Sequence, residues 1–194
     1  MNSKLNEHLK YLRANLDDLR EICTPQWHPL GFVSCIIHNQ AKERVARLHY
    51  WPANERRTKN PDWPIHTHVY TLSSLILSGF VRDIQYSRID GCTYTAYEVT
   101  YHDGGSQITR TDRELGLKIE IDELRKPGET YFVERGVFHQ SEVALGKSAI
   151  TLVTLTNHMD IPPLVLGESE EGKYPYERTS YDSNVFWTEI EKCI

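Results

Sequence analysis

Residues 63–70 read WPIHTHVY, and His66 and His68 in this stretch are separated by a single residue. Side chains two positions apart on a β-strand point to the same face, with attachment points about 6.5–7 Å apart. Two imidazoles placed in this way can converge on one cation, with metal–nitrogen bonds of about 2.0–2.1 Å. An isolated pair of this kind is more commonly structural, so a metal site is predicted only if a second segment supports it.

A second segment of this kind spans residues 128–139, which read GETYFVERGVFH. Gly128 marks a turn, a short apolar strand follows, Gly136 marks another turn, and His139 begins the next predicted strand. Residues 66–79 have a similar layout, with the histidine pair, an apolar strand and a turn at Gly79. The two segments together therefore favour a shared site over three unrelated histidines.

Taken together, the two segments resemble the two sequence motifs of the cupin superfamily, whose members include the RmlC-like jelly rolls. The spacing of Gly128, Gly136 and His139 matches the second motif without a gap, and His66 and His68 match the start of the first. The resemblance implies an all-β double-stranded β-helix, a jelly-roll barrel that carries a metal ion inside its mouth. Carried over position by position, it implies that His66, His68 and His139 are the metal ligands.

The first motif also contains a glutamate ligand, which this sequence lacks. Its position falls at Leu72 or Ser73, and neither residue can replace a carboxylate. In the second motif, Glu134 and Val143 stand where the family has proline and asparagine, which affects turn stiffness more than chemistry. Cupins without the glutamate include the thiol dioxygenases and the diketone-cleaving dioxygenases, and the three-histidine set is similar to theirs.

A three-histidine site predicts a particular kind of chemistry. Neutral imidazoles leave the charge of a divalent ion uncompensated, which favours anionic substrates, and open coordination positions suit iron(II) that binds substrate and dioxygen. The resemblance to these cupins thus implies an iron(II) dioxygenase acting on a small polar or anionic molecule, although zinc, nickel or manganese would fit the same ligands. A metal-dependent isomerase, lyase or hydrolase, and a non-catalytic small-ligand-binding protein, remain alternatives.

Two further residues are candidates for catalysis. Tyr70 shares strand parity with the histidine pair and could face the interior, or it could be an ordinary core tyrosine. Arg82 could pair with a substrate carboxylate through its fork of donors, or it could be a surface arginine. Five further histidines have no partner at ligand spacing and are interpreted as structural: His28, His38, His49, His102 and His158.

The 194 residues predict a single domain, 1–194, in three parts. Residues 1–25 contain an amphipathic helix over 3–22, and residues 31–156 form the barrel, because short strands alternate there with glycine-rich turns. Residues 157–194 are polar and predict an irregular extension packed on the barrel, ending in a short helix from Asn184 to Cys193.

The composition excludes several classes of partner. A net charge of −5 disfavours nucleic-acid binding, which requires clustered Lys and Arg. No stretch approaches the ~20 apolar residues needed to span a bilayer, and the N-terminus does not read as a signal peptide, so we expect no membrane partner and a cytoplasmic location. The expected partner is a small-molecule substrate, and the cupin resemblance implies that a homodimer joined through sheet edges is plausible.

Overall fold

The computed structural model describes residues 3–40, 44–168 and 172–194, which are mainly β-strand. The strands that it describes are, in chain order, β1 Gln26–Trp27, β2 Val33–Gln40, β3 Arg44–Trp51, β4 Thr71–Ser78, β5 Val81–His102, β6 Gly105–Arg125, β7 Thr130–Val133, β8 Phe138–Glu142, β9 Ala149–Thr156, β10 Leu164–Gly167 and β11 Lys173–Glu177. The described helices are α1 Ser3–Ala14, α2 Leu16–Ile22 and α3 Ser183–Glu191.

The strands form two antiparallel sheets. One sheet has six strands in the order β1-β2-β3-β9-β4-β7, and the other has the order β10-β5-β6-β11, with β8 also paired to β5. The predicted all-β class is confirmed. The two sheets are separate hydrogen-bonded units within the described residues, so the barrel is not closed.

The inner faces of the sheets meet and form the interior of the molecule. Tyr131 on β7 and Ser141 on β8 have their hydroxyl oxygens 3.1 Å apart, which joins the edges of the two sheets. On β3, Val45 and Trp51 pack in the inner hydrophobic cluster. Because strand side chains alternate, Arg47 and His49 lie on the same inner face of β3.

The helices cover the outer face of the six-stranded sheet. Leu5, Leu12 and Leu19 are each at most 1% exposed and pack there, and burying such a side chain contributes roughly 1.5–3 kcal/mol. The single helix predicted over 3–22 is divided at Asn15, whose side-chain Nδ2 donates to the Tyr11 carbonyl at 2.8 Å. Asparagine competes for backbone hydrogen bonds in this way, which disfavours an uninterrupted helix.

The predicted C-terminal helix is confirmed as α3, where the Asp182 carboxylate accepts hydrogen bonds from the backbone N–H groups of Asn184 and Val185. Such a cap satisfies donors that the first helical turn leaves free. Phe186 and Trp187 of this helix are fully buried against the six-stranded sheet. None of the described helices has the length and apolar character that a bilayer crossing requires.

The prediction that residues 157–194 are an irregular extension is wrong in part. Strand β10 pairs with β5, with Leu164 opposite Glu98, and β11 pairs with β6, with Tyr174 opposite Ile108. The pairing makes β10 part of the five-stranded sheet, and all four of its residues are buried. A four-residue apolar run inside a polar stretch is too short for its strand pairing to be predicted from sequence.

Strands β5 and β6 form one long hairpin that accounts for the length of chain between the two histidine segments. The hairpin turns between His102 and Gly105, at a glycine-rich stretch that is typical of a turn. Because β8 and β10 both pair with β5, the hairpin holds these two strands in one sheet.

Candidate metal centre

The first and third predicted ligands are joined through their backbones. The His66 N–H donates to the His139 carbonyl at 3.0 Å, and the His139 N–H donates to the His66 carbonyl at 2.9 Å. Two residues that exchange both bonds lie directly opposite each other, so their side chains leave the backbone on the same side. This pairing brings residues 73 positions apart in sequence into one site.

His66 and His68 do not lie on a regular strand, contrary to the strand geometry that their spacing predicts. The segment forms isolated bridges at His66, to His139 on one side and Val165 on the other, and β4 begins only at Thr71. The segment therefore lies between β8 and β10. The convergence of the two histidines survives because neighbours on both sides hold the extended backbone.

Two neighbours fix the remainder of this segment. The Gly136 N–H donates to the His68 carbonyl at 3.0 Å, and Gly136 has φ +76°, a conformation that glycine adopts without strain. On the other side, the Thr67 N–H donates to the Leu164 carbonyl at 2.8 Å, and the Thr67 hydroxyl accepts from the Leu164 N–H at 2.9 Å. Strand β10, which sequence reasoning missed, thus positions both histidines.

The three predicted ligands form one cluster. One ring nitrogen from each of His66, His68 and His139 lies within 4.8 Å of the others. The ring centres are 4.7 Å apart for His66–His68, 4.5 Å for His66–His139 and 4.8 Å for His68–His139. No carboxylate or thiolate from the described residues joins this group.

The cluster holds its imidazoles in the neutral form that binds metal ions. Burial lowers the pKa of His66 to about 4, although its hydrogen bond to the Pro64 carbonyl acts in the opposite direction. Burial and then the neighbouring imidazoles lower the pKa of His68 and of His139 well below the ordinary histidine value. A metal ion therefore does not have to displace protons from these rings at neutral pH.

The hydrogen bonds of the rings also fit a metal site. His66 Nδ1 donates to the Pro64 carbonyl at 2.8 Å, which leaves Nε2 unprotonated in the neutral ring and free to coordinate. His139 is 3% exposed, and both of its ring nitrogens are buried without a hydrogen-bond partner. Burying unsatisfied polar atoms costs free energy, and coordination of a cation by the unprotonated nitrogen would offset part of this cost.

The position of the family glutamate holds no substitute ligand. Leu72 is 4% exposed and packs in the inner hydrophobic cluster. Ser73 lies on the next position of β4 and lines a separate cavity of about 310 Å³ with Phe132 and Arg125. The donor set of the described cluster is therefore three neutral imidazoles, as the sequence predicts.

The two catalytic candidates differ in location. Tyr70 packs its ring against His158, with ring centres 4.8 Å apart, and lies near enough to Arg47 to interact electrostatically. Arg82 is half-exposed and forms ion pairs with Asp122 at 2.6 Å and Glu142 at 3.3 Å. Arg82 thus occupies the surface position that the sequence allowed, with its donors already paired, and we assign it no substrate contact. A catalytic role for Tyr70 stays a prediction.

Sequence reasoning missed several cationic or titratable neighbours of the cluster. Burial is the main cause that lowers the pKa of His49, to about 3, and His66 and Arg47 add to the effect. The pKa of His28 is lowered well below its ordinary value by burial and then by Arg178. Alternation along β3 predicts that residues 47 and 49 share a face of the strand. The sequence does not indicate that this face points towards His66, His68 and His139.

A different polar group lies beside the cluster. The fully buried Asp83 carboxylate accepts from Arg125 Nη2 at 3.0 Å and from Gln85 Nε2 at 3.1 Å. Gln85 also donates to the Phe132 carbonyl at 2.9 Å, and it is the strand partner of His139. The hydrogen-bonded group of Asp83 and Gln85 therefore lies next to His139, whose ring nitrogens have no partner in the described part of the chain, where β5 pairs with β8.

No family model matches the chain, and no curated protein matches it. Similar solved structures include an RmlC-like cupin from Shewanella frigidimarina, at 12% identity and a TM-score of 0.42, covering 72% of this chain and 88% of that chain. The DMSP lyase DddQ from Ruegeria pomeroyi has 12% identity, a TM-score of 0.44, and coverage of 79% and 66%. The hydroxypropylphosphonic acid epoxidase from S. wedmorenis has 15% identity, a TM-score of 0.42, and coverage of 70% and 56%. These likenesses are distant, so the all-β class rests on the strand pairings described above.

Proposed function

We propose that this protein is a metal-dependent enzyme, an iron(II) dioxygenase that acts on a small polar or anionic molecule. The observation that supports it most is the cluster of three neutral imidazoles, one of which has both ring nitrogens buried without a partner. Three protein ligands leave coordination positions open, which is the arrangement that metal sites use for substrate binding.

In this proposal His66, His68 and His139 hold the ion. The backbone bonds between His66 and His139, and from Gly136 to His68, keep the rings in place before the ion arrives. Bound iron(II) would supply Lewis acidity and the capacity to bind dioxygen next to the substrate. The protein contributes orientation and a positive environment that favours an anionic molecule.

The test is oxygen uptake by the iron-reconstituted protein with a panel of small thiols, diketones and amino acids. We expect uptake coupled to loss of one member of the panel, abolished in His139→Ala and retained in His102→Ala, whose histidine lies exposed near the hairpin turn. Turnover without oxygen would replace the dioxygenase with an isomerase or lyase. Stabilisation by a panel member without any turnover would indicate a non-catalytic binding protein.

A further inference from the structure

The side chain of Arg47 is directed into the interior, where its Nε finds no hydrogen-bond acceptor among the described residues. It lies on the inner face of β3, directly opposite Val153 of β9 and two residues before His49. Its Nε is buried and has no hydrogen-bond partner. A buried guanidinium donor without an acceptor is costly, because the group loses water and gains nothing in exchange.

The surroundings of Arg47 increase this cost. Arg178 follows β11, and its backbone N–H donates to the Gly104 carbonyl at 2.9 Å, which fixes it at the end of the long hairpin. The pKa of Arg47 is lowered, first by burial and then by the positive charge of Arg178. No carboxylate of the described residues contributes to the electrostatics of Arg47 or forms an ion pair with it.

Two hydroxyl groups lie in the same region. Tyr70 and Tyr101 both interact electrostatically with Arg47, and Tyr101 is 66% exposed, which places it where solvent reaches this region. Arg47 shares the inner face of β3 with His49, and its charge contributes to the lowered pKa of His68. The guanidinium and the histidine cluster therefore share one part of the interior. A molecule that enters past Tyr101 could therefore contact both.

We propose that Arg47 and Arg178 form the binding site for the carboxylate of a small organic acid, which extends from them towards the three histidines. The planar fork of a guanidinium matches a carboxylate with two parallel hydrogen bonds, and the acid supplies the negative charge that the described residues lack. This inference rests on the proposed function for its claim that the acid is the substrate. The inference assigns the contact with the substrate carboxylate to Arg47 in place of Arg82, the residue predicted from the sequence.

The test measures binding of propionate to the full chain after metal removal by a chelator, so that it does not depend on the loaded enzyme. We expect saturable binding of propionate by calorimetry and no binding of its neutral analogue propionamide. Arg47→Met and Arg178→Met should each weaken propionate binding at least about tenfold, since each removes charge-assisted hydrogen bonds or the adjoining charge. Arg113→Met removes an exposed arginine paired with Glu98 and is the matched control.

Arg47→Lys keeps the charge but not the fork, so we expect weaker binding in a variant with unchanged folding by circular dichroism. Unaltered propionate affinity in folded Arg47→Met and Arg178→Met would overturn the proposal, as would equal binding of propionamide or tighter binding of inorganic phosphate. Weakening by Arg82→Met alone would return the carboxylate to the residue predicted from sequence. Failure of the metal proposal would appear separately, as absence of iron from a protein that still binds propionate.

Discussion

The interior of this protein contains two adjoining polar groups that are built in opposite ways. In the group around Asp83, the buried carboxylate is paired with Arg125, and Gln85 donates both to Asp83 and to the Phe132 carbonyl. In the group around the histidines, His139 has two buried nitrogens without partners, and Arg47 has an unpaired Nε. The two groups meet at Gln85 and His139, which are strand partners.

The difference separates structural from functional polar residues. A buried ion pair with satisfied hydrogen bonds contributes to a unique fold, and removing one partner leaves an uncompensated charge. Unsatisfied buried groups lower stability, and proteins retain them at sites that bind something else. We therefore interpret the Asp83 group as part of the framework and the histidine group as the place where a ligand binds.

The largest expected effect is a contrast between two substitutions to leucine. Asp83→Leu should destabilise the protein by about 2–3 kcal/mol, because Arg125 Nη2 and Gln85 Nε2 would lose a buried acceptor, while Arg125 keeps its ion pair with Glu123. In the metal-free protein, His139→Leu should change the free energy of unfolding by no more than about 1 kcal/mol, because it removes two unsatisfied atoms at similar volume. Urea unfolding of both variants, after treatment with a chelator, measures the contrast. Equal destabilisation by the two would show that the histidine is structural as well.

A second prediction concerns the pH dependence of stability. It uses His49, which is not one of the three proposed metal ligands. Burial lowers the pKa of His49 to about 3 in the folded protein, while the unfolded value is about 6.5. Between these values the unfolded chain binds a proton that the folded chain does not, so stability falls as pH decreases, by up to about 1.4 kcal/mol per pH unit. His49→Gln should reduce the slope of unfolding free energy against pH from 6.5 to 4.5. An unchanged slope would mean that His49 is already protonated or exposed in the folded state.

The smallest expected effect tests the contribution of β10. Thr67→Val removes the hydroxyl that accepts from the Leu164 N–H, which should cost about 1 kcal/mol of stability. Because Thr67 lies between two ligands, we also expect iron affinity to fall by about tenfold, as for other residues that orient metal ligands. The control is Thr93→Val at an exposed position of β5, which should change neither quantity. Loss of stability without loss of iron affinity would separate β10 from the site.

Much of the site was predictable because it depends on residue type and short spacing. The pairing of His66 with His68, the turn at Gly136 and the position of His139 are all visible in the sequence, and the structure brings the three histidines together. The absence of a carboxylate ligand followed from Leu72 and Ser73. The all-β class followed from many short strands separated by glycine-rich turns.

Other features could not be predicted because they depend on register between distant segments. The strand pairing of β10 and the inward position of Arg47 require knowledge of which faces meet, and alternation gives only the relative facing of residues on one strand. Arg82 illustrates the same limit, since its partners Asp122 and Glu142 are 40 and 60 residues away in sequence. The break at Asn15 depends on a local hydrogen bond that periodicity does not reveal.

The most direct measurement is the iron content of the chelator-stripped protein after anaerobic equilibrium dialysis against iron(II). We expect about one ion per chain for the wild type and for His102→Ala, and almost none for His66→Ala, His68→Ala or His139→Ala. Iron retained at the wild-type level in the three single variants, with all of them folded, would contradict the claim that these imidazoles hold one metal ion.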